Sequence, residues 1–167
     1  FFLSFGMSST HLNYPEATDI EEDFIATPSP VVNNKATRHD FANYLTSLRT
    51  ADKCVGAVLD EIDAQGLRND TVVLFTTDHG ISFPDMKCTL RDAGTGVAMF
   101  IRHPDIGRGA TDAMVSQVDV FPTVCDMLGI EKPDWLEGCS LLPLMRGETE
   151  HVHDFIFSEV TYHAAYE

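Results

Sequence analysis

A long helical pattern followed by a short apolar run constrains the fold of this chain more than any other feature. Between Asp40 and Gln65, apolar residues recur at three- and four-residue steps, which predicts an amphipathic helix, and Gly66 is typical of a helix end. The apolar face consists of Phe41, Tyr44, Leu45, Leu48, Val55, Leu59 and Ile62. Residues 71–76 (TVVLFT) then predict a strand buried on both faces. A helix followed by such a strand favours an α/β fold with parallel strands.

Other stretches predict further elements of the same fold. A short helix is predicted from Asp119 to Leu128, with Asp119 as its N-cap and Gly129 as its end. Three more apolar runs predict strands: residues 1–5, 97–101 and 155–160. Because the chain begins inside one strand pattern and ends soon after another, we expect it to be an internal piece of a longer protein.

Composition excludes several classes of protein. The chain has 167 residues, which is room for about one domain, and 26 acidic against 11 basic residues give a net charge of −15. So acidic a chain is a poor nucleic-acid binder, and no apolar run is long enough to span a membrane. Four cysteines without a C-x-x-C pair argue against a zinc ribbon. An acidic cluster within residues 16–23 is interpreted as a solvated loop.

Four polar residues are candidates for chemistry. Asp78 and His79 follow the 71–76 strand, at the edge where α/β folds place their sites, and could converge on one cation. The alternative is an Asp that caps a turn beside a surface His. Lys87 could neutralise a phosphate or sulfate oxygen, and His11 could donate to an anion or protonate a leaving group. Taken alone, however, Lys87 is more typical of a solvated surface lysine and His11 of a structural or surface histidine.

The order of these features resembles the sulfatase family of the alkaline phosphatase superfamily. The first part of the similarity is a predicted strand near a His, followed by the segment F-T-T-D-H-G and a Lys-bearing loop. The second part consists of three segments further along the chain: V-A-M-F-I-R-H-P, V-S-Q-V-D-V-F-P-T-V-C-D-M-L-G-I and L-E-G-C-S-L-L-P-L-M-R-G-E. Within that family, the loop I-S-F-P-D-M-K-C-T-L-R-D-A-G-T-G is most similar to the heparan N-sulfatase (sulfamidase) subgroup and its bacterial relatives.

This resemblance implies a fold and a set of site residues. The fold would be the C-terminal half of an alkaline-phosphatase-like α/β/α sandwich with a mostly parallel sheet. Asp78 and His79 match metal ligands of a divalent cation, which in this family is usually Ca²⁺. Lys87 matches a catalytic Lys on the sulfate and the leaving oxygen, and His11 matches a catalytic His that faces the sulfate. Three further residues are assigned to substrate binding: Glu159, His163 and Arg91.

The chain departs from the family pattern at its nucleophile. The family uses a formylglycine made from Cys or Ser in a Cys/Ser-x-Pro-x-Arg motif, and that motif is absent here, as is the early Asp-Asp pair of metal ligands. We expect both upstream of Phe1, with a formylglycine-generating or equivalent maturation enzyme as a partner. Residues 1–150 would belong to the catalytic domain and 151–167 to the start of a truncated C-terminal segment. The 167 residues alone are predicted to be inactive.

The predicted activity of the intact protein is hydrolysis of a sulfate ester or N-sulfate on a small molecule or an oligosaccharide, such as a sulfated glycan. The family habit implies a periplasmic, secreted or lysosomal location. Two alternatives stay open. A phosphatase or phosphodiesterase of the same superfamily would need another His as a zinc ligand, for which the candidates are His103, His151 and His153. A non-catalytic binding protein would keep the fold without the nucleophile.

Overall fold

The computed structural model describes residues 1–161, which form two compact units. The first comprises Phe1–Ile101 with residues 159–161, and the second comprises Arg102–Ser158. Two 3-10 turns, four helices and two strands occur in this part of the chain: a turn at Glu22–Phe24, α1 Lys35–Ala64, β1 Val73–Thr76, α2 Asp92–Thr95, β2 Met99–Arg102, a turn at Gln117–Asp119, α3 Val120–Leu128 and α4 Leu142–Met145. None of these helices has the length and apolarity that a bilayer crossing demands.

The predicted long helix is α1, and it begins at Lys35 rather than near Asp40. Its start is set by a capping box: the Asn34 side chain accepts from the Thr37 backbone N–H at 3.1 Å, and the Asn34 N–H donates to the Thr37 hydroxyl at 3.1 Å. The predicted end is confirmed. Gly66 adopts φ 71°, a left-handed conformation that suits glycine and closes the last turn.

The face that α1 buries differs from the predicted apolar stripe. Phe41 and Tyr44 do pack inward, but Leu48 is 43% exposed. The buried positions of the helix carry small or polar side chains: Ala42, Asn43, Ser47 and Ala51. Small side chains let neighbouring backbone approach closely, and the Ala17 N–H donates to the Asn43 side-chain Oδ1 at 2.8 Å. Tertiary packing, rather than the apolar period alone, selects the buried face.

The acidic cluster is exposed but is not a freely solvated loop. Its carboxylates pair with cationic side chains of α1: Asp19 with Arg49 at 2.7 Å, Glu22 with His39 at 2.7 Å and Asp23 with Arg38 at 3.7 Å. Exposed pairs of this kind each contribute little to stability, because solvent screens the attraction and holding two long side chains in place costs entropy. Together they hold the segment that precedes α1 against the helix.

His39 makes this attachment sensitive to pH. The hydrogen bond that the His39 ring donates to the Glu22 carboxylate raises the pKa of His39 above its ordinary 6.5, and the charge of Glu16 adds to the effect. The stabilisation is therefore fully present below the unfolded pKa and is lost as pH rises through the folded pKa. We expect His39→Gln to destabilise the protein more at about pH 5.5 than at about pH 9, measured by denaturant unfolding. An equal loss at both values would contradict this.

The two strands form one sheet, with β1 beside β2. The pairing continues past the strand ends, because the Thr77 N–H donates to the Ala98 oxygen at 3.2 Å and the Ala98 N–H donates to the Thr77 hydroxyl at 3.1 Å. The predicted strands 71–76 and 97–101 are confirmed over residues 73–76 and 99–101, and β2 continues for one residue beyond the predicted end. Their predicted burial is wrong: β1 is half-buried, and Phe100 is 67% exposed. The parallel orientation of a larger sheet stays a prediction.

The strands predicted at residues 1–5 and 155–160 are wrong, since neither segment is a strand in the structure. Phe1, Phe2 and Phe157 are each 87% exposed. A strand needs a neighbouring backbone to satisfy its N–H and carbonyl groups, and the sheet of the described part contains β1 and β2 alone. An apolar run shows the capacity to form a strand but not the presence of a partner.

In the second unit, Asp119 precedes α3 as predicted, but its side chain does not cap the helix. This fully buried carboxylate accepts from the backbone N–H groups of Ser116 at 2.7 Å and Cys139 at 2.8 Å. The His153 Nε2 lies 2.9 Å from both of its oxygens. Asp119 therefore joins three segments of this unit. Gly129, at φ 64°, ends α3 as predicted.

Candidate functional site

The candidate site begins where β1 ends, in a loop that runs from Thr77 to Gly96. The Gly80 N–H donates to the Gly94 oxygen at 2.9 Å, which closes the loop on itself. A Cβ at Gly80 would overlap the Ala93 carbonyl, and one at Gly94 would overlap the carbonyls of Met86 and Thr89. Two glycines therefore permit a backbone approach that no other residue allows. The loop is held by backbone contacts on both sides of Lys87.

Asp78 and His79 are brought together at the start of this loop. The His79 Nε2 lies 3.3 Å from the Asp78 Oδ2, and the His79 Nδ1 lies 2.7 Å from the Gly80 carbonyl oxygen. A carbonyl oxygen accepts only, so Nδ1 carries the proton and Nε2 keeps its lone pair in the neutral ring. A backbone carbonyl behind the ring is the usual way in which proteins orient a metal-binding His.

This pair fits a shared divalent cation. The Asp78 Oδ2 and the His79 Nε2 lie 3.3 Å apart. If both atoms bound one cation at about 2.4 Å, the angle between the two bonds at the cation would be about 90°. The carboxylate is the hard oxygen ligand that Ca²⁺ prefers, whereas an imidazole nitrogen suits a transition metal better. Residues 1–161 contain no group of three or more Asp, Glu, His or Cys side chains that could hold a metal. The pair thus supplies part of a coordination shell.

Lys87 lies in the same loop, next to a buried anchor. Met86 is 3% exposed, and the Lys87 N–H donates to the Ile81 oxygen at 3.1 Å. Cys88 has φ 64°, so the chain turns sharply after Lys87. In the described part of the chain, the Lys87 ammonium has no carboxylate partner. A half-buried cation without a partner can take an anionic ligand.

His11 is exposed, in a loop of its own. Its N–H donates to the Ser8 oxygen at 3.0 Å, and its Nδ1 lies 2.7 Å from the Leu12 carbonyl oxygen. As in His79, the carbonyl keeps the proton on Nδ1 and leaves Nε2 as the free ring nitrogen. That nitrogen can accept a proton, or donate one when the ring is charged.

Aromatic packing joins the His11 loop to the Lys87 loop. We call the following residues the aromatic cluster: Tyr14, Phe41, Tyr44 and Phe83, with Val31 and Met86. The Tyr14 ring lies 6.5 Å from Phe83 and 5.5 Å from Tyr44, and burial raises the pKa of both tyrosines. Tyr14 follows His11 by three residues, and Phe83 precedes Lys87 by four. The cluster therefore fixes both loops to α1.

Of the residues assigned to substrate binding, Arg91 lies in the Thr77–Gly96 loop itself. Arg91 pairs with Asp85 at 3.1 Å and is mostly exposed. Glu159 is exposed, and His163 lies outside the described residues. The three histidines named as further zinc ligands have other neighbours: the His103 Nδ1 accepts from the Asp105 N–H at 3.2 Å, His151 pairs with Asp154 at 3.1 Å, and His153 contacts Asp119.

Sequence reasoning did not single out Tyr14 or Gly94. A tyrosine within the polar segment S-S-T-H-L-N-Y-P was a signal for an anchored loop, since an aromatic ring there needs a packing partner. The pair Gly94 and Gly96 was a signal for close backbone approach. Neither signal specifies the packing partner. The partner of Tyr14 is Phe83, which lies 69 residues further along the chain.

Comparison with known proteins provides independent information on the family and fold of this chain. The model of the family described as "Sulfatase" matches residues 1–130. The chain is 33% identical over 151 residues to the N-sulphoglucosamine sulphohydrolase of Homo sapiens, which covers 83% of this chain and 30% of the relative. The chain therefore spans less than a third of the length of that relative.

Two solved structures share the fold. A phosphonate monoester hydrolase from Silicibacter pomeroyi has a TM-score of 0.65 at 29% identity, covering 72% of this chain and 25% of its own. A 2-O GAG sulfatase has a TM-score of 0.65 at 26% identity, covering 74% of this chain and 29% of its own. The described residues thus adopt part of the alkaline-phosphatase-like fold of these enzymes.

Proposed function

Because the chain belongs to the sulfatase family, we propose that the protein containing it hydrolyses sulfate esters or N-sulfates. The observation that carries this proposal is the Asp78–His79 pair at the end of β1, with a ligand-atom spacing of 3.3 Å, in a chain whose residues 1–130 match that family. The substrate class we propose is a sulfated glycan or glucosamine N-sulfate. It is supported by the name of the human relative, an N-sulphoglucosamine sulphohydrolase.

Asp78 and His79 would hold the divalent cation, for which we propose Ca²⁺. Asp78 provides a charged oxygen, and His79 provides Nε2 because the Gly80 carbonyl holds the proton on Nδ1. When bound, such a cation neutralises the charge of sulfate oxygens. Residues elsewhere in the protein complete the coordination shell.

Lys87 and His11 would act on the sulfate itself. The Lys87 ammonium binds a sulfate oxygen and stabilises the charge that develops on the leaving group. His11 binds the sulfate through its ring and can give a proton to the departing oxygen or nitrogen. Arg91, Glu159 and His163 are proposed to contact the rest of the substrate.

The nucleophile of this reaction would be a formylglycine outside these 167 residues. Its formation from Cys or Ser requires a maturation enzyme, which we propose as a partner of the protein. Residues 1–150 would then form part of the catalytic domain and residues 151–167 the start of a C-terminal segment. On this proposal the 167 residues alone release no sulfate.

The test is release of inorganic sulfate by the full-length protein, co-expressed with a formylglycine-generating enzyme. We expect turnover of glucosamine N-sulfate or 4-nitrophenyl sulfate, loss of turnover on chelation with EDTA, and recovery on addition of Ca²⁺. Asp78→Asn should require more Ca²⁺ for the same rate, because it removes a charged ligand. Sulfate release that EDTA leaves unchanged would contradict the roles of Asp78 and His79.

A second candidate function is hydrolysis of a phosphonate or phosphate ester. It is favoured by the similarity to the phosphonate monoester hydrolase of Silicibacter pomeroyi. The same preparation should be assayed with 4-nitrophenyl phenylphosphonate. A kcat/KM for this ester higher than for both sulfates would favour the second candidate, and absence of turnover for all three would favour a non-catalytic binding protein.

A further inference from the structure

A cleft of about 290 Å³ lies between three segments of the first unit. The first segment follows His11, the second is the early part of α1, and the third lies between His79 and Lys87. Its lining includes Tyr14 from the first segment, Asp40 and Asn43 from the second, and Ser82 and Phe83 from the third. Two of its walls are therefore the same loops that carry His11 and Lys87.

The course of the chain places this cleft near the candidate site. Asp40 and Asn43 belong to the first turns of α1, and Ser82 follows the carboxyl end of β1 by six residues. The Ile81 carbonyl, next to Ser82, accepts the backbone N–H of Lys87 at 3.1 Å. A group bound in the cleft thus lies beside the loop that holds Lys87.

The cleft offers a carboxylate acceptor and a serine hydroxyl but no cation. No Lys, Arg or His lines it, and Asp40 contributes an exposed carboxylate. Ser82 contributes a hydroxyl, whereas the Tyr14 hydroxyl is buried and the Asn43 side-chain amide is already engaged by Ala17 and His39. A carboxylate attracts hydroxyl or amine donors and repels a second anion.

We infer that this cleft is the subsite for the part of the substrate next to its sulfate, and that Asp40 selects a neutral, hydroxyl-bearing group over an anionic one. The inference rests on the proposed function and specifies its substrate: a sulfated neutral sugar or amino sugar rather than a sulfated uronic acid. The sulfate is bound by Lys87 and His11, and a sugar hydroxyl donates to the Asp40 carboxylate.

The experiment compares Asp40→Asn with the wild-type full-length protein on three probes. For glucosamine N-sulfate, loss of a charge-assisted hydrogen bond should raise KM by about five- to twentyfold and leave kcat unchanged. For 4-nitrophenyl sulfate, which has no hydroxyl to place in the cleft, both constants should stay the same. A 2-sulfated hexuronic acid, used as a substrate or as a competing inhibitor, should bind more tightly to the variant.

The matched control is Asp60→Asn, the same change on the same helix about 30 Å further along. It should leave all three probes unaffected, which separates a local effect from a general change in charge. If the rate of sulfate release by Asp40→Asn, relative to the wild type, is the same on every probe, the inference about Asp40 is wrong while the proposed function stands. No sulfate release from any probe by the wild-type protein overturns the proposed function, and the inference with it.

Discussion

We expect Lys87→Ala in the full-length protein to lower kcat/KM for the proposed sulfate release by about 10²–10³-fold, the loss typical of removing one preorganised group that stabilises developing charge. The free energy of unfolding should change by less than about 0.5 kcal/mol. The reason for this separation lies in the loop. The hydrogen bond from the Lys87 backbone N–H to the Ile81 oxygen and the burial of Met86 do not depend on the Lys87 side chain. Truncation to alanine therefore removes the ammonium group and leaves the loop in place.

The control for this variant is Lys53→Ala. Lys53 is an exposed lysine of α1, and its removal takes away the same charge far from the loop. It should leave kcat/KM within about twofold, since screening weakens exposed charges at a distance. Lys87→Arg should retain part of the activity, because it keeps the charge but changes the donor geometry. If Lys87→Ala and Lys53→Ala had equal kcat/KM, Lys87 would be a surface lysine.

Gly80→Ala should be among the most destabilising substitutions in this chain. The added methyl overlaps the Ala93 carbonyl, which is backbone and cannot rotate away as a side chain would. Either the hydrogen bond from the Gly80 N–H to the Gly94 oxygen breaks or the loop moves as a whole. We expect a loss of at least about 3 kcal/mol in the free energy of unfolding. Because the loop carries Asp78 and His79, sulfate release should fall with it.

The control for Gly80→Ala is Gly56→Ala, the same chemical change at a helical glycine. A Cβ at Gly56 meets nothing within 4 Å, and the residue lies in the interior of α1. Alanine there should stabilise the protein by about 0.5–1 kcal/mol, because it restricts the unfolded chain more than glycine does. Denaturant unfolding measures both variants. The same sign of change for both would show that loop closure does not depend on Gly80.

Much of the candidate site was predictable because its chemistry is local in sequence. Asp78 and His79 are adjacent and follow an apolar strand, so their convergence needs only the end of β1. The end of α1 was equally predictable, since Gly66 takes a left-handed conformation that few other residues tolerate. The start of α1 was not, because the predicted start near Asp40 overlooked the Asn34–Thr37 capping box, which lies ahead of the apolar pattern.

The strand predictions show a different limit. Residues 73–76 and 99–102 form strands because each has the other as a partner, whereas residues 1–5 and 155–160 have equally apolar sequences and form none in the described structure. Periodicity and β-branching report the preference of one segment. A ladder is a property of two segments, so the preference alone cannot decide it.

The sequence by itself determined most of helix α1 with its end, the strand preference of residues 73–76 and 99–102, the family, and the residue types proposed to bind a cation and a sulfate. These depend on neighbours within a few positions, or on motifs whose order is visible along the chain. Only the tertiary structure decided that Gly80 closes on Gly94, that Tyr14 packs on Phe83, and that Asp40 faces a cleft beside the Lys87 loop. Those contacts join residues far apart in the chain, and they form only when the gain from packing exceeds the entropy lost in closing the intervening loops.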